Sequence, residues 1–128
     1  MDDRYSFEGS WPGVPASVPA VRAFVTAQLI SRVPADVVAG ARLVATELAT
    51  NAVLHTDTPF TVTVEITGTE VTLHVRDGSS RVPATSPWDT LADGGRGLVL
   101  VDALSVAWGV VETSGGKAVW ARLTTATP

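Results

Sequence analysis

Apolar and polar residues alternate along three segments in the first two-thirds of the chain, at residues 4–11, 60–67 and 71–75. This period of two predicts β-strands that each bury one face. The turn Thr67-Gly68-Thr69-Glu70 predicts that the second and third strands form a hairpin. The apolar positions of the three strands are Tyr5, Phe7 and Trp11; Phe60, Val62, Val64 and Ile66; and Val71, Leu73 and Val75.

Apolar residues spaced by three and four predict helices between and after these strands. Ser17 is the predicted N-cap of a first helix that ends near residue 31, and Asp36 is the predicted N-cap of a second. The second helix has one apolar stripe and ends around residues 56–59. Its stripe consists of Val37, Ala41, Val44, Leu48 and Ala52.

The last third of the chain contains a third helix and two more strands. The glycines of "GGRG" open a very apolar helix from Leu98 to Leu104, and strands are predicted at residues 105–112 and 117–124. The strands follow one another mostly as hairpins. The order therefore predicts an α+β domain over residues 1–128, with a mixed, mostly antiparallel sheet and about three helices on one face.

Composition limits the classes of function. The chain has 128 residues, no cysteine and a net charge of −4, with no cluster of basic residues, so direct binding of nucleic acid is not expected. The N-terminal residues do not resemble a signal peptide, and no run of eighteen uncharged apolar residues occurs. We therefore expect a cytoplasmic protein without a membrane span.

Three polar residues stand four apart in the second helix: Glu47, Asn51 and His55, in "ELATNAVLH". At 100° per residue they fall within about 80° of one another, at the border of the apolar stripe. Such a row faces a crevice and can hold a ligand. An ordinary half-exposed helix edge would give the same pattern.

Two further segments carry candidate chemistry. Asp77-Gly78 ends the third strand, where the carboxylate either stabilises a turn or accepts a hydrogen bond from an exocyclic amine. In "GGRGL", glycines open a helix, and helix N-termini present free N–H groups to anions. Between the two segments lies a long loop with no clear periodicity, at residues 79–94.

In this order the segments resemble those of the Bergerat-fold (GHKL) ATPases, the superfamily of gyrase, histidine kinases and mismatch-repair ATPases. The chain is most similar to the small stand-alone anti-sigma factor kinases of bacterial stress and sporulation control. "ELATNAVLH" resembles their N box, "VRDGSS" their G1 box and "GGRGLVLVDAL" their G2 box. "WGVVETSGGKAVWARL" resembles their C-terminal strand pair, and the resemblance covers roughly residues 15–123.

The resemblance implies a Bergerat-type two-layer sandwich that binds ATP and Mg²⁺. Asn51 would coordinate Mg²⁺, Glu47 would be the general base, and His55 would contact phosphate or stabilise the helix end. Asp77 would hold the adenine amine, and Gly78 would let the base approach. The G2 box would bind phosphates, and residues 79–93 would be the ATP lid. The G2 residues concerned are Gly95, Arg96 and Gly97.

Two departures from the family pattern bear on ATP binding. The fuller G1 box reads Asp-x-Gly-x-Gly, but Ser79 and Arg81 stand where the two glycines are expected. Ala118 stands where a threonine near the adenine is often found. The first change predicts weaker nucleotide binding, and the second predicts that one hydrogen bond to the base is missing.

The function that the resemblance implies is a serine protein kinase. It would phosphorylate a small antagonist protein with ATP and sequester a sigma factor when the antagonist is unavailable. A nucleotide-responsive binding module that holds its partner without phosphotransfer is the main alternative. The catalytic half of a split histidine kinase is a third, and the resemblance also makes a homodimer possible.

Overall fold

The sheet has five strands in the spatial order β1-β2-β3-β5-β4. The computed structural model describes residues 4–56, 58–78, 96–113 and 115–124. Every neighbouring pair of these strands is antiparallel. Their bounds are β1 Arg4–Trp11, β2 Phe60–Thr67, β3 Glu70–Asp77, β4 Ala107–Thr113 and β5 Gly116–Leu123.

Helices cover one face of this sheet. They are α1 Ser17–Leu29, α2 Ala35–His55 and α3 Arg96–Leu104. In β2 and β3 every second residue is buried and the residues between are half-buried or exposed. α1 contacts β1 and β2, α2 contacts β3 and β5, and α3 contacts α2 and β4. The predicted α+β architecture, with two layers and helices on one face, is confirmed.

The core lies between the sheet and the helices, where the predicted stripes meet. The α2 stripe is buried over its whole length, together with Ala45 and Ala49. The largest fully buried side chains come from all three helices and from β2 and β3. They are Phe60, Leu29, Leu48, Ile66, Leu73, Val21, Val25, Val44, Val62, Val64, Val71 and Val101.

Two predicted helix caps are wrong. Ser17 is the first residue of α1, after Ala16, which already has helical angles. The buried Ser17 hydroxyl donates to the Pro12 carbonyl at 2.7 Å and so holds the β1–α1 loop instead of capping a helix. α2 begins at Ala35 after Pro34, so Asp36 lies within its first turn, where a negative charge interacts well with the helix dipole.

α2 is long and apolar enough to cross a membrane by length and composition alone. Its apolar stripe, however, packs on the sheet and on its neighbouring helices. It also carries the charged residues Asp36, Arg42 and Glu47 along its length. These features are those of a core helix.

Gly116 is required where β5 begins beside the end of β3. A Cβ at this position would come within 3.0 Å of the Asp77 backbone, a separation that real Cβ atoms do not show. At the neighbouring Gly115, a Cβ would meet nothing within 4 Å. The sequence therefore offers two adjacent glycines with very different tolerance for a methyl group.

We predict that Gly116→Ala lowers the free energy of unfolding by about 1–3 kcal/mol, because the added methyl forces the two strands apart. Gly115→Ala is the matched control and should change it by less than about 0.5 kcal/mol. Urea denaturation of both variants measures the difference. Equal stability of the two would contradict the close approach of β3 and β5.

Candidate functional site

The end of α2, the start of β2 and the end of β3 lie at one end of the molecule. The α2–β2 connection is short, from Thr56 to Pro59, and Phe60 at the start of β2 pairs with Asp77 at the end of β3. Asp77 pairs in turn with Lys117 at the start of β5. The topology thus places the last turns of α2 near the Asp77-Gly78 strand end.

The polar row of α2 borders the buried stripe, as its angular position predicts. Glu47 and Asn51 are half-buried, beside the buried Val44 and Leu48. His55 shares the angular position of the stripe but is exposed, because it is the last residue of the helix. Within the part of the chain that the structure describes, no hydrogen bond or ion pair engages the side chains of Glu47 and Asn51.

Asn51 fits the role of a single protein ligand to Mg²⁺. Its amide oxygen is a neutral hard donor on a rigid helix, and no described side chain competes for it. Mg²⁺ commonly takes one or two protein ligands and completes its octahedron with water and phosphate oxygens. In the described ranges no group of three or more His, Asp or Glu side chains forms a cage that would hold a metal by itself.

Asp77 is buried on the helix-facing side of the sheet, in line with Val75 and Leu73, and is only 6% exposed. The Lys117 ammonium lies 3.0 Å from its Oδ2 atom and 3.3 Å from Oδ1. Lys117 is 8% exposed, so both charges of the pair are removed from solvent. Asp77 and Lys117 therefore form a buried ion pair at the end of β3.

Lys117 is not among the residues predicted from the sequence, where Ala118 is the β5 residue expected near the adenine. Ala118 pairs with Arg76, and alternation puts both on the opposite face of the sheet from Asp77. The residue of β5 that faces Asp77 is Lys117. The expectation that one hydrogen bond to the base is missing at Ala118 stays a prediction, and Lys117 places a charged donor at the position that faces Asp77.

Gly78 is held by the α2–β2 connection. Its N–H donates to the Thr58 hydroxyl at 3.1 Å, a contact for which the sequence carries no signal. A Cβ at Gly78 would make only ordinary contacts with the Thr58 side chain, at 3.7 Å or more. Its φ is not positive either. Within the described residues, then, the fold does not demand glycine here.

The G2 segment is described from the start of α3. Arg96 and Gly97 are the first two residues of this helix, and N–H groups in a first turn have no intrahelical acceptor. α3 is fixed by the buried Val101 and by a 2.9 Å hydrogen bond from Trp108 Nε1 to Asp102 Oδ1. Gly95 and the predicted lid, residues 79–93, lie outside the described residues.

An antiparallel five-stranded sheet under one helical layer is the architecture expected of an ATPase domain of the GHKL class. The chain belongs to the histidine kinase-like ATPase domain family, whose model matches residues 12–123. The match covers all of the N, G1 and G2 boxes and both C-terminal strands. A search of curated proteins found no match.

A solved structure shares the fold. The chain is similar to the crystal structure of the RsbU and RsbW domains of Rv1364c from Mycobacterium tuberculosis, with a TM-score of 0.71 and 19% sequence identity. The superposition covers 97% of this chain and 33% of that chain, so this chain spans about a third of its length.

We predict that Gly78→Ala separates binding from stability. The free energy of unfolding should change by less than about 0.5 kcal/mol, because the methyl meets only ordinary contacts. If the base approaches the Gly78 backbone, the methyl should weaken ATP binding by about 1–3 kcal/mol, or roughly fivefold to over a hundredfold. Calorimetric titration with Mg-ATP tests this. Unchanged affinity would remove Gly78 from the base site.

Proposed function

We propose that this chain is an ATP-dependent serine protein kinase that also sequesters a sigma factor, and that its substrate is a small antagonist protein. Membership of an ATPase domain family supports nucleotide binding. The single observation that carries the kinase proposal is the α2 row, in which a half-buried carboxylate and a half-buried amide stand one helical turn apart. The sequence resemblance to anti-sigma factor kinases supports the partner class.

Glu47 is the general base in this proposal. Its carboxylate accepts the proton of the substrate serine hydroxyl while the serine oxygen forms a bond to the γ-phosphorus. The bond from that phosphorus to the β,γ-bridging oxygen breaks, and ADP leaves with the electron pair. Residues four apart on a helix have Cβ atoms roughly 6 Å apart, so Glu47 can reach the nucleophile while Asn51 faces the phosphates.

The remaining residues bind and orient the nucleotide. Mg²⁺, held by Asn51, would neutralise phosphate charge. Backbone N–H groups of the G2 box, at Gly95 and Gly97, bind phosphate oxygens, and Arg96 adds a positive charge. His55, exposed at the end of α2, contacts a phosphate or stabilises the helix end. Asp77 accepts a hydrogen bond from the adenine amine, and the base lies beside Gly78.

A nucleotide-responsive module without phosphotransfer is the second candidate. Two observations favour it: Ser79 and Arg81 replace the glycines of the G1 box, and Asp77 is already in contact with Lys117. Both observations affect the affinity for the base, whereas Glu47 affects only the rate of phosphate transfer. The two candidates therefore separate in a phosphotransfer assay. A cytoplasmic location and a homodimer stay predictions.

We predict that Glu47→Gln keeps the fold and ATP affinity but slows transfer of phosphate to the antagonist by on the order of 10²–10⁴-fold, because a general base is lost. Labelled ATP and a candidate antagonist provide the assay. Glu65→Gln, on the opposite face of the sheet, is the matched control and should transfer at the wild-type rate. Wild-type transfer by Glu47→Gln would rule out the assigned base.

Asn51→Ala should fail differently from Glu47→Gln. We predict that the wild-type protein binds ATP more tightly with Mg²⁺ than with a chelator, and that Asn51→Ala loses this difference, because its methyl cannot ligate a metal. Paired titrations with and without Mg²⁺ measure the effect. A magnesium dependence equal to that of the wild type would show that Asn51 is not the ligand.

A further inference from the structure

Lys117 is a buried cation that the proposed phosphotransfer chemistry does not use. It is 8% exposed and lies on the helix-facing side of β5, directly opposite Asp77. Lysine is almost never fully buried unless it is paired. A buried ion pair is also rarely more stabilising than well-packed apolar residues of similar volume, so stability gives little reason for a lysine here.

The two side chains offer opposite hydrogen-bonding capacity at one place. A carboxylate only accepts and an ammonium only donates, and their charged atoms lie 3.0 and 3.3 Å apart. An ammonium has three hydrogens and a carboxylate about four acceptor positions, so neither is saturated by the other. The pair therefore presents an acceptor next to a donor at the end of β3.

The adenine ring has the complementary pair on its edges. Its exocyclic amine donates, and the ring nitrogens N1 and N7 on either side of that amine accept. A carboxylate alone can accept a hydrogen bond from the amine but cannot bind the ring nitrogen, which is also an acceptor. An adjacent ammonium can read the ring nitrogen as well.

We propose that Lys117 is a specificity-determining residue of the nucleotide site. Asp77 accepts a hydrogen bond from the exocyclic amine of adenine, and the Lys117 ammonium donates one to the ring nitrogen next to that amine. The pair thus recognises both a donor and an acceptor of the base. This inference rests on the nucleotide binding proposed above. It makes the lysine part of base recognition and not only a counter-ion.

The first test uses the wild-type protein and four triphosphates in the presence of Mg²⁺. 1-Deaza-ATP and 7-deaza-ATP each lack one ring acceptor, and purine riboside triphosphate lacks the amine. One of the two deaza analogues should bind about tenfold to a hundredfold more weakly than ATP, as expected for loss of a hydrogen bond to a charged group. Purine riboside triphosphate should also bind more weakly, through Asp77.

The second test repeats the series with Lys117→Met. This variant should bind ATP and the weaker deaza analogue with equal affinity, yet still prefer ATP to purine riboside triphosphate. Arg76→Met is the matched control, because it removes a positive charge next to Asp77 in sequence but on the opposite face of the sheet. It should keep the wild-type discrimination between ATP and the deaza analogues.

Four results would overturn the inference, and the last of them would also overturn the proposed function. If both deaza analogues bind the wild type as tightly as ATP, Lys117 does not contact the ring, whether or not Lys117→Met folds. The inference also fails if Lys117→Met discriminates like the wild type, or loses affinity for all four ligands equally. If ATP itself does not bind the wild type, the proposed function fails with it.

Discussion

The register between β3 and β5 fixes the buried pair of Asp77 and Lys117 at the end of β3. Asp77 and Lys117 are forty residues apart in sequence and stand directly opposite each other in the ladder, with both side chains on the helix-facing side. Only this register brings the two charges into contact. A shift of one residue would turn Lys117 to the solvent face and leave Ala118 beside the carboxylate. The close approach of Gly116 to the Asp77 backbone works against such a shift.

The order of the strands explains why this pair lies near the α2 row. β3 is the centre of the sheet, and α2 packs across it and β5. The chain leaves α2 at His55 and enters β2 at Phe60, which pairs with Asp77. The hydrogen bond from Gly78 to Thr58 ties the strand end to that connection. The end of α2 and the end of β3 are thus held together by one short stretch of backbone.

Much of the fold follows from local pattern. Strict alternation in β2 and β3 gave their buried faces, and Gly68, with a φ of +60°, forms the predicted hairpin turn. The α2 row followed from helical spacing. These features depend on residues close in sequence, which is why a single sequence suffices to predict them.

Three of the missed features depend on partners that come close only when the chain folds. Lys117 follows two glycines, and its own sequence does not mark it as buried, because the register of β5 against β3 cannot be predicted from β5 alone. Ser17 reads as a cap, since the Pro12 carbonyl that it binds becomes its neighbour only when the loop folds back. Thr58 is one of two threonines in the connection between α2 and β2, and nothing local marks it as the partner of Gly78.

The most direct test of the account is calorimetric titration of Asp77→Ala with Mg-ATP, with circular dichroism to establish that the variant is folded. If the carboxylate at the end of β3 binds the base, affinity should fall by about 1.5–3 kcal/mol, roughly tenfold to over a hundredfold. A folded variant that binds Mg-ATP as tightly as the wild type would contradict the account. Asp77 would then be a residue that serves the strand pairing alone.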